Sequence, residues 1–197
     1  MILGINAGKK KTGLVFSCDF TALPFTDLTC RHAISNTGVT CVGGKAAGFS
    51  GESAGLTVSA TPKDFSLSGD FEISVTVNAT SAGITSTDKS IFKVNQTVAE
   101  SSEYLELYRH RHGYLVVVGS GTISTFGTYN LPMDTDVILT VRRVGSTLSL
   151  LANGVSKGST TFIGVIKGRQ LRIGGYVLGG YSIQWYGTID DFTWTNS

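Results

Sequence analysis

The chain has 197 residues and a formal net charge of +2, which supplies neither the basic surface that nucleic acid needs nor a field for an anionic membrane. Charged residues make up only 15% while glycine fills 25 positions, a balance that suits short strands joined by tight turns; the 41% hydrophobic content excludes a disordered chain. No apolar run approaches the ~20 residues that span a bilayer, so neither nucleic acid nor membrane is expected as a partner.

In chain order, residues 1–12, "MILGINAGKKKT", come first. Their charge follows a short apolar stretch instead of preceding a long one, so no secretory leader is read there. Ile2, Leu3 and Ile5 ahead of Lys9, Lys10 and Lys11 predict an N-terminal arm that packs on a neighbouring subunit or particle. The alternative is an edge strand of its own sheet. Cys18, Cys30 and Cys41 are odd in number and, without a leader, are expected as free thiols. With His32 they give C-x11-C-x-H-x8-C, which fits no zinc spacing.

Phe71, Ile73, Val75 and Val77 alternate with polar residues at a period of two, the mark of a half-buried strand. "YLELYRHRHGYLVVV" predicts two strands around Gly113. "DVILTVRRVGSTLSLLANGVSKG" predicts three consecutive antiparallel strands, the last two joined by the hairpin turn Asn153-Gly154. "QLRIGG" adds another. With three prolines and no linker, residues 13–197 read as one all-β domain, an antiparallel sandwich of two sheets.

The order of segments is then informative. "GLVFSCDF", "GGKAAGFSGESAGLTVSATPKDFSLSGDFEISVTV", "LTVRRVGSTLSLLANG", "LRIGG" and "WYGTIDDFTW" together resemble the concanavalin A-like lectin/glucanase superfamily. The likeness is to the laminin-G/pentraxin-type jelly rolls common in bacteriophage structural proteins. It is carried by Gly48-Phe49, Leu56 to Val58, Ser68 to Ile73, Asn153-Gly154 and Tyr186 to Phe192. Val75 and Val77 depart from it where a tryptophan is frequent. The resemblance implies a jelly roll and a non-catalytic virion component, a capsid decoration or tail-associated protein. It would be assembled in a host cytoplasm with other virion proteins and further copies of itself. The alternative is a carbohydrate-binding receptor-recognition or adhesin domain that contacts a host surface glycan. A stand-alone lectin of non-viral origin is a third reading.

Asp190 and Asp191 pose a question of spacing. Ile189, Phe192 and Trp194 can all face a core only if the strand takes up one extra residue at the Asp pair, a β-bulge. The pair is therefore expected to be structural, accepting backbone hydrogen bonds, with calcium ligation and catalysis as the other readings. The paired carboxylates of the superfamily's glucanases, E-x-D-x-E or E-x-D-x-x-E, have no counterpart. Glu100, Glu103 and Glu106 are the nearest run and are the wrong types at the wrong spacing. No enzyme activity and no cofactor are expected. "GSGTISTFG" reads as strand and turn, not as a phosphate loop.

Two segments carry candidate ligand-binding residues. Along residues 104–112 one face holds Tyr104, Glu106, Tyr108, His110 and His112, while Leu105 and Leu107 mark the other as core-facing. Such a face is either solvated or subunit-buried, or a glycan contact with stacking rings, or a metal site shared by the two histidines. Residues 174–185, "GGYVLGGYSIQW", place Tyr176, Tyr181 and Trp185 on a glycine-rich connection that could serve recognition or packing.

Overall fold

The computed structural model describes residues 13–49, 53–59, 65–80, 88–95, 104–113, 115–119, 129–178 and 181–196, with only the backbone at 115–119, 177–178 and 181–182. The expected arm (1–12), Glu100, Glu103 and most of "GSGTISTFG" lie outside the described residues. The chain begins with β1 (Leu14–Cys18), β2 (Ala33–Thr37), β3 (Thr40–Val42), β4 (Lys45–Ala47), β5 (Gly55–Ser59) and β6 (Phe65–Leu67). Then come β7 (Phe71–Ala79), β8 (Lys89–Asn95), β9 (Tyr104–Arg109), β10 (Leu115–Gly119), β11 (Asp136–Val144) and β12 (Thr147–Ala152). It closes with β13 (Val155–Thr161), β14 (Ile166–Gly168), β15 (Gln170–Ile173), β16 (Gly175–Leu178), β17 (Tyr181–Gln184) and β18 (Gly187–Asn196).

These strands build an antiparallel β-sandwich. One sheet has eight strands in the order β13-β12-β11-β7-β18-β4-β3, with β1 also paired to β18. The other has six, ordered β10-β9-β8-β15-β5-β2. Alternation decides which residues line the space between them. In β7 Phe71, Ile73, Val75 and Val77 are buried, opposite Val137, Leu139 and Val141 of β11. The facing sheet contributes Leu56, Val58, Phe92, Val94, Leu105, Leu107, Leu171 and Ile173, all at 0% exposure. Phe192 joins the layers, with its ring 5.7 Å from Phe16 of β1 and 5.7 Å from Phe92 of β8. Each such side chain removed from water contributes about 1.5–3 kcal/mol.

The three-stranded meander β11-β12-β13 forms as its sequence indicates, and Asn153 and Gly154 turn with φ of 49° and 78°. In β18 the pairing with β7 runs Ile189 to Val77 and Asp190 to Thr76, then resumes at Thr193 to Ser74. Two residues, Asp191 and Phe192, thus oppose the single Val75, which is a bulge. The Asp190 carboxylate accepts the Asp191 N–H at 2.9 Å, and Asp191 sits at φ 48°. Ile189, Phe192 and Trp194 all reach 0% exposure as a result. The bulge also marks a change of partner on the other edge of β18: Ile189 pairs with Ala46 of β4, and Phe192 onward with β1.

Cys18, Cys30 and Cys41 are free thiols, and burial raises the pKa of Cys18 to about 11. His32 turns away from them. Its Nδ1 lies 2.8 Å from Asp27 Oδ2, and its ring stacks on Phe65 at 4.9 Å.

Candidate functional site

The outer face of the six-stranded sheet carries a row of polar residues set by register. Ser35 of β2 pairs with Thr57 of β5, Thr57 with Arg172 of β15, Arg172 with Lys93 of β8, and Lys93 with Glu106 of β9. Each sits one position from core residues such as Val58, Leu171, Phe92 and Leu105, so alternation turns it outward.

Half of that row is roofed. Gly174 donates its N–H to the Ile91 carbonyl, where a register break in β8 between Ser90 and Phe92 frees the acceptor. Trp185 in turn donates its N–H to the Gly174 carbonyl. From this base β16 and β17 rise as a hairpin over the sheet. Gly174 has φ 79°, and a Cβ there would fall 2.0 Å from the Phe49 ring, so the base accepts no other residue.

Beneath the hairpin the Tyr176 hydroxyl donates to Glu106, 3.1 Å from Oε1 and 3.0 Å from Oε2. It accepts from Lys93 Nζ at 3.1 Å, and that ammonium lies 3.7 Å from Glu106 Oε2. The ammonium also sits 4.6 Å from the centre of the Tyr104 ring. Burial pushes the Glu106 carboxyl above its ordinary range, and Lys93, Ser90 and Tyr176 offset part of that rise.

Where the roof ends, a cleft of about 220 Å³ opens on the same face. Thr37, Ser53, Gly55 and Thr57 form one side; Arg172, Gly175 and Tyr176 form the other. The Arg172 guanidinium lies 5.4 Å from the Tyr176 ring centre, and its Nε donates to Gln170 Oε1 at 2.9 Å. The walls thus offer hydroxyls, backbone groups and one cation, beside Tyr176, which is 6% exposed and has Lys93 Nζ 4.3 Å from its ring centre.

The two segments singled out from the sequence meet here, though not as expected. Tyr104, Glu106 and Tyr176 come together, with Glu106 buried under the hairpin where a displayed carboxylate was expected. Tyr108 is half-buried opposite Ser90. β9 ends at Arg109, so His110 and His112 leave the strand face and sit in the turn that Gly113 closes onto His110. Their rings are 5.0 Å apart, and His110 faces Asp88 at 3.8 Å. Among the described residues no group of three or more His, Cys, Asp or Glu side chains could hold a metal, at Asp190 and Asp191 or elsewhere. Within residues 174–185, β16 and β17 pair as antiparallel strands where a glycine-rich connection was expected. Trp185 enters the main core at 1% exposure, with Nε1 donating to the Thr188 carbonyl. Tyr181 pairs with Leu178, and its side chain lies outside the described residues. Arg172, Lys93 and Thr57 were missed. The signal was available: in "QLRIGG" and "SIFKVN" a cation interrupts a strand whose alternate residues are apolar.

The architecture is that of an antiparallel two-sheet β-sandwich. The chain is similar in structure to a Trypanosoma rangeli sialidase in complex with sialic acid, at 12% identity and TM-score 0.73, over 99% of this chain and 33% of that one. It is similar to the botulinum neurotoxin serotype D binding domain, at 11% identity and TM-score 0.73, over 93% of this chain and 47% of the other. A third neighbour is botulinum neurotoxin type C, whose cell entry depends on interaction with two ganglioside molecules (13% identity, TM-score 0.69, 93% and 48% covered). The chain therefore spans about a third to a half of these proteins. No family model and no curated protein matches its sequence.

Proposed function

We propose that the chain is a non-catalytic carbohydrate-recognition domain that holds a sugar in the cleft on the outer face of its six-stranded sheet. The observation that carries this is the lining: Thr37, Ser53 and Thr57 hydroxyls opposite Arg172 and the Tyr176 ring. Saccharides are bound by a few convergent hydrogen-bonding groups in a shallow recess. Of the neighbours named above, one holds sialic acid and another depends on gangliosides, which supports the same reading. The virion role implied by the sequence resemblance has no such support from them. Glu106, tied to Lys93 and Tyr176 under the hairpin, is not free to act as an acid or base in the cleft.

The cleft volume is below the ~300 Å³ at which drug-sized pockets begin, which suits one terminal sugar unit. About 14 heavy atoms at about 0.3 kcal/mol each give about 4 kcal/mol, a Kd of about 1 mM, so avidity would be needed for tight attachment. A glycan array probed with a multivalent form of the protein tests this. Thr37→Val with Thr57→Val should abolish the signal at unchanged melting temperature. An empty array, or full binding by the double variant, overturns the assignment.

A further inference from the structure

We infer that the sugar recognised in the cleft carries an anionic substituent, a carboxylate or sulfate, and that Arg172 is the residue that selects it. The inference rests on the cleft being a glycan site and adds the charge class of the ligand.

Among the described residues no Asp or Glu lines the cleft, and Arg172 makes no ion pair. Its register neighbour Lys93 adds a second cation next to it, matched by the single carboxylate of Glu106. Glu106 spends its oxygens on Lys93 and Tyr176, two strands away from Arg172. Among the described residues, the cleft side of the row is therefore left with an uncompensated positive charge.

Geometry then says how it would be used. The Arg172 guanidinium is held by its Nε bond to Gln170 and rests near the Tyr176 ring, while its two terminal nitrogens make no hydrogen bond among the described residues. A planar fork with its orientation already fixed matches two oxygens of a carboxylate or sulfate, and little rotamer freedom remains to be lost on binding. Thr37, Ser53 and Thr57 are then placed to meet ring hydroxyls. A neutral sugar would leave the cation facing a ligand with no charge to meet it, so neutral sugars should bind less well.

The test compares 3′-sialyllactose, 3′-sulfolactose and lactose with the whole chain, by calorimetric or NMR titration. Either anionic trisaccharide or disaccharide should bind about tenfold or more tightly than lactose, since a hydrogen bond to a charged group is worth about 1.5–3 kcal/mol. Which of the two binds better identifies carboxylate or sulfate as the source. Arg172→Gln should remove the preference, bringing the anionic sugars down to the level of lactose measured on the same variant; Arg172→Lys should keep part of it, and serves if the Gln variant folds poorly. Raising salt from about 50 to about 300 mM should weaken the anionic ligands only. If lactose binds as well as the anionic sugars, or Arg172→Gln keeps the preference, this inference fails while the glycan site stands. If none of the three binds and a full array is also empty, both fail.

Discussion

Asp27 and Glu106 are both buried carboxylates that face a basic side chain, yet their acidities move in opposite directions. Burial alone would raise Asp27, but Thr29 donates from Oγ1 and from its backbone N–H at 2.9 Å, and His32 from Nδ1 at 2.8 Å. The N–H groups of Ser17, Arg31 and His32 add three more, and the carboxyl is held below the ordinary range. An ionised carboxylate only accepts, so the Nδ1 contact is an N–H of the imidazole. Glu106 has fewer donors, Tyr176, Ser90 and an ammonium at 3.7 Å, and for it desolvation wins. The protonation of a buried acid follows the balance between its desolvation and the donors aimed at it, and the two sites strike that balance on opposite sides.

The largest expected effect follows from that count. Asp27→Ala orphans part-buried donors from four residues and removes one partner of His32, and should cost about 3 kcal/mol in chemical denaturation. A loss below about 1 kcal/mol would mean the donors find water, and the contrast with Glu106 would collapse.

This contrast was only partly legible in the sequence. The strands were, because Phe71 to Val77 and Leu148 to Ala152 alternate and the Asn153-Gly154 turn has chemistry of its own. The bulge was too, because Ile189, Phe192 and Trp194 cannot share a face without it. Asp27 was not recognised, although Asp27 and Thr29 form a local turn whose spacing is visible. What no spacing reveals is the hairpin's position. Tyr176 and Trp185 look alike in "GGYVLGGYSIQW", yet one covers the outer face and the other fills the core. For the same reason β8 is buried on both faces, and its lysines read as surface residues until the roof is seen. His110 and His112 were misplaced because period-two counting continued past Arg109, where Gly113 at φ 97° turns the chain.

The next effect is a sign, read from stability against pH. Asp27, lowered on folding, contributes stability that is present above its unfolded value near 3.8 and lost as pH falls through the lower folded value. Glu106, raised on folding, contributes stability that is present below its unfolded value near 4.5 and lost as pH rises through the higher folded value. Asp27→Asn should therefore flatten the acid limb of the profile. Glu106→Gln should flatten the fall that sets in above the ordinary carboxylate range. Identical profiles for the two variants would contradict the opposed shifts.

Glu106→Gln is expected to be mild in absolute terms, about 1 kcal/mol at neutral pH. The amide can still accept from Tyr176 and Lys93, but the ammonium loses a countercharge in a buried place. Measured beside Asp27→Asn, which leaves an NH2 group pointing at several donors, it should be clearly the smaller loss. Equal losses would show that Glu106 is as well solvated by donors as Asp27.

Asp190 provides the intermediate case. Its carboxylate is only half-buried, and burial together with the neighbouring charge of Asp191 raises its pKa, against a single backbone donor, the Asp191 N–H. By the donor count it should resemble Glu106 in sign and be weaker than both buried acids in size. Asp190→Ala removes one acceptor from a bulge whose shape is also fixed by Ile189, Phe192 and Trp194 in the core. The expected cost is about 0.5–1 kcal/mol, with solvent screening the charge contribution. Asp190→Asn keeps the acceptor and relieves the repulsion from Asp191, so it should be neutral or slightly stabilising at neutral pH. Thermal melts of the two variants against the parent decide it. A loss of about 3 kcal/mol in either would mean that the side chain, and not the packing of Phe192 and Trp194, holds the bulge in place.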